Sequence, residues 1–137
     1  MAESVANHVG LCVRDLDRSR RFYEEALGFS YQRELQPPDR FTAPLLGLEP
    51  PLELTAVYLT LGPFVLELLH YGRGEGPEDR RRTFDELGLT HLSLTVTDLA
   101  GILAKVAELG GEVIESSNLG MAIMIRDPDG QLIELLT

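Results

Sequence analysis

The sequence contains no tryptophan and a single cysteine, Cys12. A lone cysteine excludes an internal disulfide bond. No run of about 18 apolar residues is present, so no segment is predicted to span a membrane. The N-terminus, Met1 to Ser4, has no basic region followed by an apolar core, and we therefore expect no signal peptide. These absences favour the cytoplasm.

Basic residues are also scarce. The chain has 12 Lys and Arg and 22 Asp and Glu, which gives a formal net charge of −10. Such a charge repels the phosphate backbone of nucleic acids, so we expect no nucleic-acid partner. The length of 137 residues, with 44% hydrophobic and 25% charged residues, suits a globular protein of one compact unit or two small modules.

The beginning of the chain recurs in its second half. Residues 8–13 and 91–96 share the order His, Leu, Val and alternate with a period of two, which predicts a strand in each half. A predicted helix follows each strand, at 16–27 and 98–109. Three more predicted strands complete each half: 29–35, 55–61 and 64–70, then 112–115, 121–126 and 131–136. The chain is therefore predicted to be an α+β protein with two tandem βαβββ modules.

The first module is expected to cover residues 1–70 and the second residues 89–137. Residues 71–88 form the linker, in which residues 77–87 can form a short helix. A proline-rich insertion at 36–53 lengthens the first module and is predicted to be a loop or a short irregular helix.

Within this insertion lies an apolar stretch that includes Phe41, Leu45 and Leu46. These side chains either form a lid over a binding site or plug the core. The sequence leaves both alternatives open.

Each module carries one histidine and one glutamate at matching places. His8 and His91 begin the first strands, on the face opposite the aliphatic side chains. Glu67 and Glu134 stand among aliphatic residues on the last strands. A lone carboxylate on such a strand is costly unless it is paired or bound to a metal. The alternative for these four residues is that the two histidines are buried and hydrogen-bonded and that the two glutamates lie on edge strands.

Two imidazole nitrogens and two carboxylates make a mixed nitrogen and oxygen ligand set. It suits one divalent ion of Zn, Ni, Co, Mn or Fe better than Cu(I) or Ca. We therefore predict that His8, Glu67, His91 and Glu134 bind one metal ion and that the partner is a small-molecule substrate.

Three other features bear on such a site. His70 lies on the opposite face from Glu67 and is expected at the surface. Cys12 shares the face of His8 and is expected to line the pocket, where it could touch substrate. Arg80 to Arg82 are expected on a solvated surface, although they could bind an anionic substrate tail such as a phosphate.

The sequence resembles the vicinal oxygen chelate superfamily, which includes glyoxalase I, methylmalonyl-CoA epimerase, extradiol dioxygenases and bleomycin-resistance proteins. The residues that carry the resemblance are His8 with Val13-Arg14-Asp15-Leu16, Phe22-Tyr23 with Leu27-Gly28, and Asp127-Pro128-Asp129-Gly130 with Ile133-Glu134-Leu135. The resemblance implies βαβββ modules that form a curved mixed sheet, a glyoxalase-like cup around one metal ion, and a homodimer.

The ligand order His, Glu, His, Glu matches glyoxalase I and the epimerase. By this resemblance the protein is a metal-dependent lyase or isomerase of the glyoxalase I type, acting on an oxygen-chelating substrate through an enediolate. Glu134 is then the catalytic base, with Glu67 as its rival. Cys12 stands where bacterial glyoxalases I have an arginine for the glutathione carboxylate, which argues against glutathione. The alternatives are a non-catalytic binding or resistance protein and an acyl-CoA epimerase.

Overall fold

A computed structural model describes residues 3–74 and 81–137 of the protein. The elements of the first half are β1 (Val9–Cys12), α1 (Leu16–Arg21), which continues as a π-helical segment (Phe22–Ala26), β2 (Ser30–Leu35), α2 (Asp39–Leu46), β3 (Leu54–Leu61) and β4 (Phe64–Tyr71). The elements of the second half are β5 (His91–Thr95), α3 (Leu99–Glu108), β6 (Glu112–Ile114), a 3-10 turn (Glu115–Ser117), β7 (Ala122–Arg126) and β8 (Leu132–Leu136).

Each half builds a four-stranded mixed sheet with the same topology. The strand orders are β1-β4-β3-β2 and β5-β8-β7-β6. The first and last strands of each half pair in parallel, and the other neighbours are antiparallel. The predicted α+β class with two βαβββ modules is therefore confirmed. The last strand of each half, which carries the glutamate, lies inside its sheet.

The structure groups into two compact units. The first contains β1 to β4 with α2, and the second contains β5 to β8 with α3 and the helical segment Asp17–Leu27. That segment is sequentially part of the first half, yet its contacts lie with the second unit. The predicted boundaries at 1–70, 71–88 and 89–137 stay a prediction.

The insertion contains a regular helix, α2, which ends at Gly47 with a left-handed φ of 66°. Ala43 of this helix packs with Leu52 and Leu54 in a buried cluster. In contrast, the exposed fractions are 65% for Phe41, 83% for Leu45 and 40% for Leu46. The interpretation of these three residues as a core plug is therefore wrong, because a different face of the helix packs inward.

The predicted short helix over 77–87 is not seen in the part that can be described. Residues 81–83 have no regular secondary structure, residues 84–88 form a turn and bends, and residues 77–80 lie outside the described ranges. Helix α3 is capped at its N-terminus by the side chain of Asp98, which accepts a hydrogen bond from the Gly101 amide. Across the described residues, no helix has both the length and the apolar character that a membrane span requires.

The segment Asp17–Leu27 is held in the second unit by packing. Phe22 and Tyr23 are fully buried. A β-carbon placed on Gly111 would lie 2.6 Å from Cε2 of Phe22, so only glycine permits this close approach. In the same segment, Arg18 donates a hydrogen bond to Asp129 over 3.1 Å.

The predicted turn Asp127 to Gly130 is built around a buried carboxylate. Oδ1 of Asp127 accepts the backbone amides of Asp129 and Gln131, each at 2.9 Å. Its Oδ2 accepts the hydroxyl of Tyr23 at 2.8 Å. Burial raises the pKa of Asp127 although these hydrogen bonds oppose the shift. Burial also raises the pKa of Tyr23, which keeps its hydroxyl protonated as the donor.

Replacing Tyr23 with Phe should lower the free energy of unfolding by about 1–3 kcal/mol, because one donor to the buried Asp127 carboxylate is lost. Chemical denaturation measures this change. Tyr71→Phe is the matched control, since the Tyr71 hydroxyl has no hydrogen-bond partner within residues 3–74 and 81–137. Equal stability losses in the two variants would contradict a stabilising role for the Tyr23 bond.

The raised pKa of Asp127 predicts a pH dependence of stability. The folded-state pKa of Asp127 lies above the ordinary value of 3.8. The stability that the protonated carboxyl contributes is therefore fully present below pH 3.8 and is lost as the pH rises through the raised pKa. The loss grows by about 1.4 kcal/mol for every pH unit that separates the folded-state pKa from the unfolded one. Asp127→Asn should not show this loss. When the free energy of unfolding is measured from pH 3 to pH 7, any stability advantage of the wild type over this variant should therefore shrink as the pH rises. A constant difference between the two proteins would refute the prediction.

Candidate metal centre

The first histidine and glutamate are brought together by the parallel pairing of β1 with β4. His8 lies directly before β1, and Gly10 pairs with Glu67 in the register of the two strands. Nε2 of His8 lies 3.4 Å from Oε1 of Glu67, and their side chains are 32% and 13% exposed. Both groups are thus accessible on one face of the first unit.

The second unit repeats this arrangement. His91 begins β5, and Ser93 pairs with Glu134 on β8. Nε2 of His91 lies 3.9 Å from Oε1 of Glu134, with side-chain exposures of 30% and 33%. The hydroxyl of Ser93 donates a hydrogen bond to Oε1 of Glu134 over 2.7 Å. The pairing of one His with one Glu in each module, as the sequence predicts, is therefore present in the geometry.

In both pairs the other nitrogen of the imidazole is already engaged. Nδ1 of His8 lies 2.6 Å from Oδ1 of Asn7, and Nδ1 of His91 lies 2.8 Å from Oγ1 of Thr90. The tautomer that donates from Nδ1 of His8 to the Asn7 oxygen leaves a lone pair on Nε2. Metal-binding histidines characteristically have such a partner on the second nitrogen.

This arrangement fits a cation. In that tautomer a lone pair on Nε2 of His8 and a carboxylate oxygen of Glu67 face each other, and two electron-rich groups attract only when a proton or a metal ion lies between them. The separation of 3.4 Å is longer than a normal hydrogen bond. It agrees with two ligands that each lie about 2.0–2.2 Å from one ion.

Each unit brings together one histidine and one glutamate. Within residues 3–74 and 81–137, no group of three or more His, Cys, Asp and Glu side chains could hold a metal ion. The binding of one ion by His8, Glu67, His91 and Glu134 together stays a prediction.

The structure adds Tyr58, which the sequence did not identify, to the first pair. Tyr58 pairs with Glu67 across β3 and β4. Its hydroxyl donates to Oε2 of Glu67 over 2.5 Å. The ring meets that of His8 edge to face, with centroids 5.5 Å apart, and the guanidinium of Arg33 lies 4.4 Å above it. Burial, together with Glu67, raises the pKa of Tyr58, so the hydroxyl remains a donor at neutral pH.

The other residues that the sequence singled out are not part of the two His–Glu pairs. Nδ1 of His70 lies 3.3 Å from the backbone oxygen of Val13, and its side chain is not part of either pair. Arg81 pairs with Glu112 over 2.7 Å. Arg82 donates to the backbone oxygens of residues 87 and 89. Cys12 is exposed next to Leu69 in the register of β1 with β4.

Comparison with known proteins gives one family. The sequence model of the Glyoxalase/Bleomycin resistance protein/Dioxygenase superfamily matches residues 5–135. The chain is 30% identical to the lactoylglutathione lyase of Pseudomonas aeruginosa over 145 aligned residues, which cover 98% of this chain and 82% of that protein.

Solved structures agree. The trypanothione-dependent glyoxalase I of Leishmania major is 28% identical, with a TM-score of 0.68 over 95% of this chain and 84% of that one. A glyoxalase family protein from Bacillus cereus has the same fold at 19% identity, with a TM-score of 0.80 over 98% of this chain and 96% of that one. The protein belongs to the Glyoxalase/Bleomycin resistance protein/Dioxygenase superfamily.

Proposed function

We propose that the protein is a divalent-metal-dependent lyase or isomerase of the glyoxalase I type. The observation that carries this proposal is the repeated pair of a histidine Nε2 and a glutamate Oε1, with the histidine Nδ1 engaged in both modules. The similarity to a lactoylglutathione lyase over nearly the whole chain supports the reaction class.

The metal would be held by His8 and His91 through Nε2 and by Glu67 and Glu134 through their carboxylates. Zn, Ni, Co, Mn and Fe(II) all suit this donor set. When bound, such an ion acts as a Lewis acid for substrate oxygens. The two pairs complete one site either within a chain or across a homodimer.

Glu134 is proposed as the base that moves the proton. It would take the proton from the carbon beside a carbonyl group and return it to the neighbouring carbon, so that the reaction is an isomerisation without loss of atoms. Its side chain is 33% exposed, whereas that of Glu67 is 13% exposed. The more accessible carboxylate is the better placed of the two to reach a substrate.

The substrate class follows from the same chemistry. A small molecule with oxygens on adjacent carbons, one of which also carries an acidic C–H, would use both the ion and the base. Cys12, which shares the face of Glu67, offers no positive charge for a glutathione carboxylate. We therefore propose that the substrate is not a glutathione adduct. We also propose that the protein acts in the cytoplasm.

A second candidate function is the non-catalytic binding of a small molecule. It is favoured by the observation that each unit, taken over the described residues, assembles two ligands and not three. The acyl-CoA epimerase alternative gains no support from Arg81 and Arg82, because Glu112 and backbone oxygens occupy their guanidinium groups.

The metal proposal predicts one transition-metal equivalent per chain. His91→Ala should lose that equivalent, since one ligand of the ion is removed. His70→Ala is the matched control and should keep it, because His70 bonds to Val13 and stands outside both pairs. Elemental analysis after purification and after incubation with Zn, Ni, Co or Mn measures the content. An unmetallated wild-type protein would favour the binding-protein alternative.

Glu134→Gln should reduce turnover by about 10²–10⁴-fold, because an amide cannot accept the substrate proton. The glutamine keeps an oxygen for the ion, so metal should still bind. Assays on 2-oxoaldehyde adducts and on acyl-CoA substrates provide the rates. Retention of full activity by Glu134→Gln, with loss in Glu67→Gln, would reverse the assignment of the base.

A further inference from the structure

The two glutamates are held by hydrogen bonds from opposite neighbouring strands. On the side of β3, Glu67 faces Tyr58, whereas the equivalent partner of Glu134 on β7 is Met124. On the side of the first strand the chemistry is reversed, since Glu67 faces Gly10 and Glu134 faces Ser93. Each carboxylate thus receives one side-chain hydroxyl, but from a different strand and on a different oxygen.

The hydroxyl of Tyr58 holds the oxygen of Glu67 that is not paired with Nε2 of His8. It donates to Oε2 over 2.5 Å, while Oε1 faces Nε2 of His8. This length is that of a strong hydrogen bond to a charged acceptor. A carboxylate that is fixed at one oxygen presents the other in a constant direction.

The phenol itself has little room to move. Tyr58 is only 8% exposed. The ring of His8 meets its ring nearly at a right angle, at 87°, and Arg33 covers the ring from 4.4 Å. The donor to Glu67 is therefore held in place by packing on both sides.

Glu134 is held differently. Ser93 donates to Oε1, the oxygen that also faces His91. Over residues 3–74 and 81–137, Oε2 of Glu134 receives no hydrogen bond. This second oxygen is thus not tied to the protein, and its carboxylate is the more exposed of the two.

We propose that Tyr58 is a positioning residue. Its hydroxyl makes Glu67 a fixed metal ligand, so that Glu134 is the carboxylate that moves during proton transfer. This inference rests on the proposed metal-dependent function. It assigns unequal roles to the two carboxylates, because the second module has no hydroxyl at the position equivalent to Tyr58.

Tyr58→Phe tests the inference, because it keeps the ring against His8 and Arg33 and removes only the donor. Competition with a chelator should show that the dissociation constant for Zn or Co rises by about 10–100-fold, as is typical when the hydrogen-bond partner of a metal ligand is lost. Tyr71→Phe should stay within about twofold of wild type. The visible spectrum of the Co-loaded protein should change in Tyr58→Phe and not in Tyr71→Phe.

A double-mutant cycle separates positioning from packing. In a Glu67→Ala background, adding Tyr58→Phe should change metal affinity by no more than about twofold, because the hydroxyl acts through Glu67. A full 10–100-fold effect in that background would overturn the inference.

Wild-type affinity and an unchanged Co spectrum in Tyr58→Phe would overturn this inference alone and leave the metal proposal intact. Failure of the wild-type protein to take up Zn or Co would overturn both.

Discussion

The parallel pairing of the first and last strands in each module places a histidine beside a glutamate, and the candidate centre depends on it. The pairing has the same register in both modules, since the residue two positions after each histidine pairs with the glutamate. A parallel pair needs a long crossover, which the helix and two middle strands of βαβββ supply. Duplication of the module therefore duplicates the His–Glu pair.

The electrostatics of these pairs depends on which nitrogen of the histidine ring carries the proton. In the first pair, the tautomer that donates from Nδ1 of His8 to Asn7 leaves the lone pair of Nε2 toward the carboxylate of Glu67. In that tautomer the contact is unfavourable unless a cation lies between the two groups, and the glutamate stands on an interior strand where an uncompensated charge is costly. A divalent ion would remove both penalties, as would a proton on Nε2 that the glutamate accepts.

The sequence was sufficient to predict the modules and the two pairs, because a period of two assigns each side chain to a face. Tyr58 required one more step, since the tight turn Gly62-Pro63 fixes the register that sets Tyr58 opposite Glu67. The bond from Tyr23 to Asp127 joins residues 104 positions apart, and no local pattern reports it. For α2, an apolar stretch alone did not reveal that Ala43, and not Phe41, faces the core.

The most direct test of the metal centre is a crystal structure of the Co-loaded protein with data collected at the absorption edge of the metal. The ligand set predicts one anomalous peak per chain, about 2.0–2.2 Å from Nε2 of His8 and His91 and from the carboxylates of Glu67 and Glu134. An anomalous peak bound to other side chains, or no peak at these four residues, would contradict the central claim.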